Sequence, residues 1–330
     1  MVAPDESEPR PGVDYPGTWH EFLAWFPDDP ACLAYLERLR WPKGFVCPKC
    51  SCARGWRIAD GRWSCGHCKR KVSVTAGTIF DKTRTSLTTW FAAIWYVTNQ
   101  KHGASALGLQ RVLGLGSYQT AWTMLHKLRR AMVRPDRDRL SGVVEVDETY
   151  VGGEEVGTYG RETATKSLVA VAAEERGKGI GRIRLRRVEN ASADSLEPFV
   201  TDVVEPGSVV HTDGWGGYVR VKDLGYEHRV SNIRRSGRRA HEEMPRVHRV
   251  ASLLKRWLLG THQGAVSPEH LDYYLDEFTF RFNRRRSRRR GLLFYRLLDQ
   301  AVVTAPAPYR DIVAGRPRRR KTGSPADHKM

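Results

Sequence analysis

The sequence predicts an α/β fold: a mixed sheet with flanking helices, preceded by a small cysteine-bearing unit and a helical region. Three observations indicate this order. All six cysteines lie within the first 68 residues, and apolar residues between 86 and 133 recur at helical spacing. The segment 142–213 then reads strand, strand, strand, helix, strand, and helices follow it. Strands interleaved with helices are typical of a mixed α/β layer structure.

The composition favours a polyanionic partner. The 330 residues contain 55 Lys and Arg against 37 Asp and Glu, a net charge of +18. Guanidinium groups bind phosphate bidentately, although a basic surface that only solubilises the protein is the alternative. No apolar run is long enough for a transmembrane helix, so we expect no membrane partner. Residues 1–17 are acidic and Pro-rich without the apolar core of a secretory signal, and we expect a disordered tail there.

Four of the cysteines form two CxxC pairs, Cys47–Cys50 and Cys65–Cys68, with 14 residues between the pairs. Each pair turns tightly enough to direct two thiolates at one point, and the gap is long enough for a hairpin with strands at 55–58 and 61–64. The spacing predicts one tetrahedral zinc ion, and because four thiolates close the coordination shell its role is structural. Redox CxxC pairs are the alternative reading. Cys52 lies close enough to Cys50 to substitute as a ligand.

Two short helices are predicted around a glycine-containing turn. Ser105 can cap the first, Gly114–Gly116 interrupts the pattern, and Ser117 can cap the second. The pair resembles a helix-turn-helix, and an ordinary helical hairpin is the alternative. The second helix carries a basic cluster that we expect to contact DNA phosphates: His126, Lys127, Arg129 and Arg130. A further short amphipathic helix is predicted upstream over 31–39.

Two predicted strands, 142–147 and 208–213, end in acid, at Asp147 and Asp213. Ligands of α/β sheets bind at such strand ends, so adjacent strands would let both carboxylates share a divalent cation. Hard oxygen ligands select Mg²⁺ or Mn²⁺, and two such ions suit phosphodiester chemistry. Taken singly, each aspartate could equally be a turn or capping residue. The other predicted strands are 167–173 and 181–188, with a helix over 192–204.

A third ligand is predicted on a later helix. His248 follows Asp213 after 34 intervening residues and precedes Lys255 by seven, which returns to nearly the same helix face. We expect His248 to bind metal and Lys255 to bind phosphate. A lone histidine on a helix is also often structural. Glu242 and Glu243 are alternative ligands, although they break the spacing to Lys255. Helices are predicted over 248–260 and 268–284.

With these motifs the chain resembles the zinc-ribbon-bearing bacterial insertion-sequence transposases, the group related to Merlin elements, which carry a DDE-type catalytic domain. The resemblance covers about residues 18–300. The matching segments are Val146–Gly153, His211–Trp215, His248–Trp257, Leu259–His262 and Leu275–Arg285.

The resemblance implies an RNase H-like domain holding two divalent ions. It makes Asp147 and Asp213 metal ligands and places the third acidic position at His248, where this sequence departs from Glu. It also implies binding of terminal inverted repeats, cleavage of the ends and joining of the 3′-OH to target DNA. A homo-oligomer on double-stranded DNA, in the bacterial cytoplasm and associated with the nucleoid, would follow.

The domain organisation follows from these features. We expect a helix plus ribbon at 18–80, a helical DNA-binding domain at 81–134, the RNase H-like domain at 135–300 and a basic disordered tail at 301–330. Near the proposed site the residues expected to grip DNA are Arg234, Arg235, Arg238, Arg239 and Arg256. The competing functions are a non-catalytic zinc-ribbon DNA-binding protein and an RNase H-like nuclease without strand transfer.

Overall fold

The computed structural model describes residues 8–134, 137–153, 166–231, 237, 239–264 and 266–315. The N-terminal part begins with α1 (Trp19–Trp25) and α2 (Asp29–Arg40), which contains the predicted helix. A three-stranded antiparallel ribbon follows, made of β1 (Gly55–Arg57), β2 (Trp63–Cys65) and β3 (Lys71–Val72). The first two strands were predicted, and β3 was not because two residues carry no periodicity.

Three helices come next: α3 (Leu87–Asn99), α4 (Ala106–Leu113) and α5 (Tyr118–Ala131). The Ser105 side chain accepts a hydrogen bond from the Gly108 N–H, and the Ser117 side chain accepts one from the Thr120 N–H. Both N-caps were therefore predicted correctly. Gly114 ends α4 at φ +61°, a left-handed conformation that glycine adopts without steric cost.

The sheet has five strands: β4 (Val143–Val151), β5 (Ser167–Arg176), β6 (Gly179–Val188), β7 (Val209–Thr212) and β8 (Glu227–Val230). Their order is β6-β5-β4-β7-β8. β4, β5 and β6 are antiparallel neighbours, whereas β7 runs parallel to β4 and β8 parallel to β7. The predicted α/β fold class, an RNase H-like mixed sheet, is confirmed.

Two strands differ from the sequence prediction. β4 continues past Asp147 to Val151, because its antiparallel pairing with β5 extends beyond the point where β7 ends. β8 was not predicted, since its four residues Glu-His-Arg-Val lie largely exposed at the sheet edge and show no apolar alternation.

Helices cover both faces of the sheet. α6 (Ala193–Val203) packs with Val144, Val146 and Val210 on one face. α7 (Ala240–Glu243) is followed by α8 (Pro245–His262) and α9 (Leu271–Asn283), and α8 and α9 pack with β5 and β6 on the other face. The chain continues with α10 (Arg290–Ala301) and α11 (Tyr309–Val313).

The packing crosses the predicted domain boundary at 134. Phe294 of α10 is fully buried and contacts the rings of Phe22, Phe26, Phe91 and Trp95. Helix α10 therefore completes the core of the N-terminal helices, although its sequence position had assigned it to the catalytic domain. This assignment depended on chain order, and only packing reveals the partner of an amphipathic helix.

The described parts of both predicted tails are folded. Tyr15 is fully buried and lies 6.0 Å, centroid to centroid, from the ring of Tyr295. Ile312 of α11 is fully buried in a small cluster with Tyr273 and Ala307. Residues 1–7 and 316–330 lie outside the described residues. No helix in the described part of the chain has the length and apolarity to cross a bilayer.

Candidate metal centres and nucleic-acid interface

The four predicted zinc ligands meet at one point of the ribbon. Their sulfur atoms all lie within 4.8 Å of one another, with Cys47 Sγ 3.6 Å from Cys68 Sγ and Cys50 Sγ 3.5 Å from Cys65 Sγ. A tetrahedron with Zn–S bonds of about 2.3 Å has edges of about 3.8 Å. The donor set and spacing therefore fit a closed structural zinc site.

The local backbone favours the thiolate form of Cys65. Burial raises the pKa of the Cys65 thiol, but hydrogen bonds from the N–H groups of Cys68 and His67 outweigh that effect and bring the pKa to about 6. Cys52 does not belong to the cluster, since its sulfur contacts the backbone of Arg54.

Of the two predicted catalytic aspartates, Asp147 lies within β4, and Asp213 directly follows the neighbouring strand β7. β4 and β7 pair in parallel, with Val143 opposite Val209 and Glu145 opposite His211. Asp147 and Asp213 each lie two residues beyond that last pair, so continuation of the register would place them side by side. One oxygen of each carboxylate is fixed by the backbone: Asp147 Oδ1 accepts from the Glu148 N–H at 2.8 Å, and Asp213 Oδ1 accepts from the Trp215 N–H at 2.9 Å.

Helix α8 brings His248 next to Asp147. His248 Nε2 lies 3.8 Å from Asp147 Oδ2, and the two side chains are 31% and 19% exposed. Burial lowers the pKa of His248 and outweighs the nearby carboxylates of Glu145 and Asp213, which raise it, so the imidazole is neutral at pH 7. The ligand atoms of Asp147, Asp213 and His248 are spaced more widely than the cysteine sulfurs. Among the described residues, only the cysteine set has three or more ligand atoms within 4.8 Å of one another.

This donor set fits a divalent cation. His248 Nε2 is a buried nitrogen without a hydrogen-bonding partner among the described residues, which is the state expected of a neutral ligand atom aimed at a metal. Two carboxylates beside it supply hard oxygen ligands. The alternative ligands are engaged elsewhere: Glu242 accepts from the Arg239 N–H, and Glu243 accepts from the Ser231 hydroxyl.

Sequence reasoning missed the residue that fixes α8 against β4. Glu145 is fully buried, and its carboxylate accepts hydrogen bonds from the N–H groups of Arg246 and Val247 at 2.7 and 2.9 Å. It also forms an ion pair with Arg246 at 2.8 Å. A carboxylate at a helix N-terminus is favoured by the helix dipole. The signal was a glutamate inside an otherwise apolar strand, two residues before Asp147.

Lys255 and Arg256 lie exposed on α8, on the side of the helix that faces solvent. Arg249 and Ser252 are exposed on the same helix, while Val250 and Leu254 face the sheet. Arg239 is exposed just before α7. The predicted contacts Arg234, Arg235 and Arg238 lie outside the described residues.

The basic cluster predicted on α5 does not form a DNA-binding face. His126 is fully buried among the rings of Trp122, Tyr273 and Tyr274. Arg129 is 2% exposed and pairs with the buried Glu277 at 2.8 Å. Because His126 and Arg129 are buried against α9, neither side chain can reach a DNA phosphate. The prediction that these two residues contact DNA is therefore wrong.

Lys127 and Arg130 are partly buried, and the Lys127 ammonium lies 6.0 Å from the Trp90 ring centroid. The pattern that suggested a basic face marks an interface between helices α5 and α9.

Two protein-family models match the chain. Residues 139–283 match the ISXO2-like transposase domain, and residues 27–71 match the transposase zinc-ribbon domain. The chain is also 28% identical over 269 residues to an uncharacterized protein in transposable element ISH50 of Halobacterium salinarum. That alignment covers 74% of this chain and 88% of the relative.

The matched segments contain the features described above: the cysteine cluster in the ribbon, and Asp147, Asp213 and His248 in the mixed sheet and helix α8. The chain therefore belongs to the insertion-sequence transposases that carry a zinc ribbon and a DDE-type domain.

Proposed function

We propose that this transposase binds the terminal inverted repeats of its insertion sequence, cleaves the ends and joins the freed 3′-OH to target DNA. The observation that carries the proposal is the approach of His248 Nε2 to within 3.8 Å of Asp147 Oδ2 on β4, next to strand β7, which Asp213 directly follows. The match to a transposase domain over these residues supports it.

In this proposal Asp147, Asp213 and His248 hold two Mg²⁺ or Mn²⁺ ions. Such ions activate the attacking oxygen and stabilise the leaving one. The protein's own contribution is positioning, because Glu145 fixes the start of α8 and thereby sets His248 against Asp147. Lys255 and Arg256 offer exposed cations along α8 on which the DNA backbone can lie.

We assign recognition of the transposon ends to helices α4 and α5 and to the zinc ribbon. Within α5, residues other than the buried His126 and Arg129 would make the contacts. The first turn of α5 presents Tyr118, Gln119 and Thr120 to solvent, and Arg111 is exposed on α4. In a helix-turn-helix the N-terminal residues of the second helix contact base edges. Gln119→Ala and Tyr118→Ala should therefore weaken binding to inverted repeats more than binding to unrelated DNA.

Deletion of residues 1–134 is a poor test of recognition, because it would expose Phe294 and the rest of α10. Point variants of the α5 first turn keep the shared core intact.

One reaction separates the proposed function from its rivals. The zinc-loaded protein is incubated with Mn²⁺, labelled transposon-end DNA and a supercoiled target. We expect cleaved ends and joined products. Cleavage without joining would indicate a nuclease. Specific binding without cleavage would indicate a non-catalytic DNA-binding protein. The main argument for that alternative is that position 248 carries histidine instead of glutamate.

A further inference from the structure

A cluster of cationic side chains lies away from Asp147 and Asp213. It lines a pocket of about 210 Å³ where the end of α5 meets β6, α9 and α10. Five of its lining residues are arginines: Arg134, Arg137, Arg182, Arg184 and Arg284. We call this feature the arginine pocket. One carboxylate, that of Asp138, is among the lining residues.

Arg184 is the buried member of the arginine pocket. Arg184 is only 4% exposed, and its guanidinium group donates hydrogen bonds to the backbone carbonyls of Ile183 and Asp138. Within the described residues it forms no ion pair with a carboxylate. A buried guanidinium without a compensating anion is costly, so this arrangement favours an anionic ligand.

Two neighbouring arginines differ in how their positive charge is balanced. Arg182 is neutralised by Glu174, whose carboxylate lies 2.7 Å from its Nη2. Arg284 is half-buried, lies 4.1 Å from the Phe280 ring centroid and donates only a long hydrogen bond to the Phe280 carbonyl. Burial lowers the pKa of Arg184 to about 9 and that of Arg284 to about 10, with neighbouring arginines adding repulsion, so both remain charged at pH 7.

Gln300 is a further buried polar side chain in the arginine pocket. It is 5% exposed and lines the same pocket, and its Oε1 has no hydrogen-bonding partner among the described residues. The two orientations of a glutamine amide differ only by a flip, which would turn an N–H donor toward the pocket instead.

We propose that the arginine pocket binds a phosphate group of the DNA backbone. A phosphodiester carries a negative charge that can balance the guanidinium groups of Arg184 and Arg284. Its oxygens accept hydrogen bonds from several guanidinium and amide N–H groups at once. This assignment rests on the proposed function, since it takes DNA as the source of the phosphate.

The bound phosphate is not the one that is cleaved. β5 separates β6, which carries Arg184, from β4, which carries Asp147. Two strand spacings amount to about 10 Å across the sheet. Arg184 is also in register with Ala172 and Val146, so its side chain leaves the sheet on the face opposite to that of Asp147. The arginine pocket would therefore hold a different part of the DNA from the one that is cleaved.

Two measurements on the full zinc-loaded chain test this proposal. In the first, inorganic phosphate is compared with sodium chloride at equal ionic strength in thermal unfolding. We expect phosphate to raise the Tm of the unmodified protein by a few degrees more than chloride, and Arg184→Met to lose that difference. Arg284→Met serves as the second variant if Arg184→Met does not fold.

The second measurement is the salt dependence of binding to transposon-end DNA. Loss of one phosphate contact should reduce the slope of log K against log[salt] by about 0.9 in Arg184→Met. Arg310→Gln is the matched control, because it removes the same charge from a side chain that is 85% exposed and outside the pocket. An equal slope change in Arg310→Gln would overturn the proposal.

The remaining outcomes are distinguishable. A phosphate effect on Tm that Arg184→Met abolishes, with an unchanged DNA slope, would make the arginine pocket a site for free phosphate and overturn its assignment to DNA. Absence of both effects in folded variants would overturn the site itself. If the unmodified protein binds no end DNA, the proposed function fails, and the Tm measurement alone then decides whether a phosphate site exists.

Discussion

The cysteine cluster and the proposed carboxylate–histidine site both offer donor atoms that fit a cation, but they are assembled in opposite ways. The cysteines come from two tight knuckles within residues 47–68, and their sulfur atoms already stand 3.5 to 3.6 Å apart in pairs. The carboxylate–histidine site draws on residues 147, 213 and 248, of which Asp147 and His248 lie 3.8 Å apart.

The difference follows from what each site has to admit. A structural ion needs no open position, so short-range turns can close its shell completely. A site that acts on DNA must leave room for the substrate, and its parts can therefore stand on separate elements held by the fold. Glu145 shows how: it joins β4 to α8 through backbone hydrogen bonds without entering the site.

The largest effect should come from removing a carboxylate. We expect Asp147→Ala or Asp213→Ala to reduce end cleavage by a factor on the order of 10³ or more, since a metal ion contributes several kcal/mol to stabilisation of the transition state. DNA binding, measured by gel shift, should remain. The control is Asp194→Ala, which removes a side chain that is 95% exposed on α6. Cleavage by either site variant at the normal rate would show that the aspartate assignment is wrong.

Breaking the closed site should act on folding instead. We expect Cys65→Ser to release the zinc ion and unfold the ribbon, because structural zinc sites supply the folding free energy of small metal-binding units. Metal content should fall from one zinc per chain to none, and end-specific binding should weaken. Cys52→Ser is the matched control, as Cys52 lies outside the cluster. Retention of zinc by Cys65→Ser would point to a different ligand set.

An intermediate effect is expected at Glu145, which links the strand to the helix. Glu145→Gln removes the charge opposite Arg246, which keeps a second ion pair with Glu175, and should lower the free energy of unfolding by about 2 kcal/mol. Asp60→Asn weakens an ion pair with Arg62 that is exposed on both sides and should lower the free energy of unfolding far less in the same urea titration. If the two variants are equally stable, Glu145 does not hold α8 in place.

The smallest effect concerns which metal the open site prefers. Imidazole is a softer ligand than carboxylate, so Mn²⁺ should support cleavage a few-fold better than Mg²⁺ in the unmodified protein. His248→Glu should shift that preference toward Mg²⁺. The test is a titration of both metals against the rate of end cleavage, and equal rates across the titration would argue against His248 as a ligand.

Much of the molecule was predictable where its determinants are local. The CxxC spacing identified the cysteine cluster, and Ser105 and Ser117 marked the starts of α4 and α5, because capping and knuckle turns involve residues three or four apart. The order of strands and helices gave the α/β class. The edge strand β8 was missed, since exposed charged residues carry no pattern of burial.

The errors arose where the meaning of a pattern depends on a distant partner. His126 and Arg129 form a basic stripe in sequence, yet α9 covers it and Glu277 neutralises Arg129. The same holds for α10, whose apolar face could fit either core and packs into the N-terminal one.

The sequence by itself determined the cysteine cluster and the excess of positive charge, and it predicted the two aspartates and the histidine as metal ligands. Each is set by residue type and short spacing. Only the tertiary structure decided which cations face solvent, that Glu145 fixes α8 beside Asp147, and that Arg184 is buried with no ion-paired carboxylate among the described residues. Burial and ion pairing join residues that are far apart in the chain, and they are properties of the assembled fold.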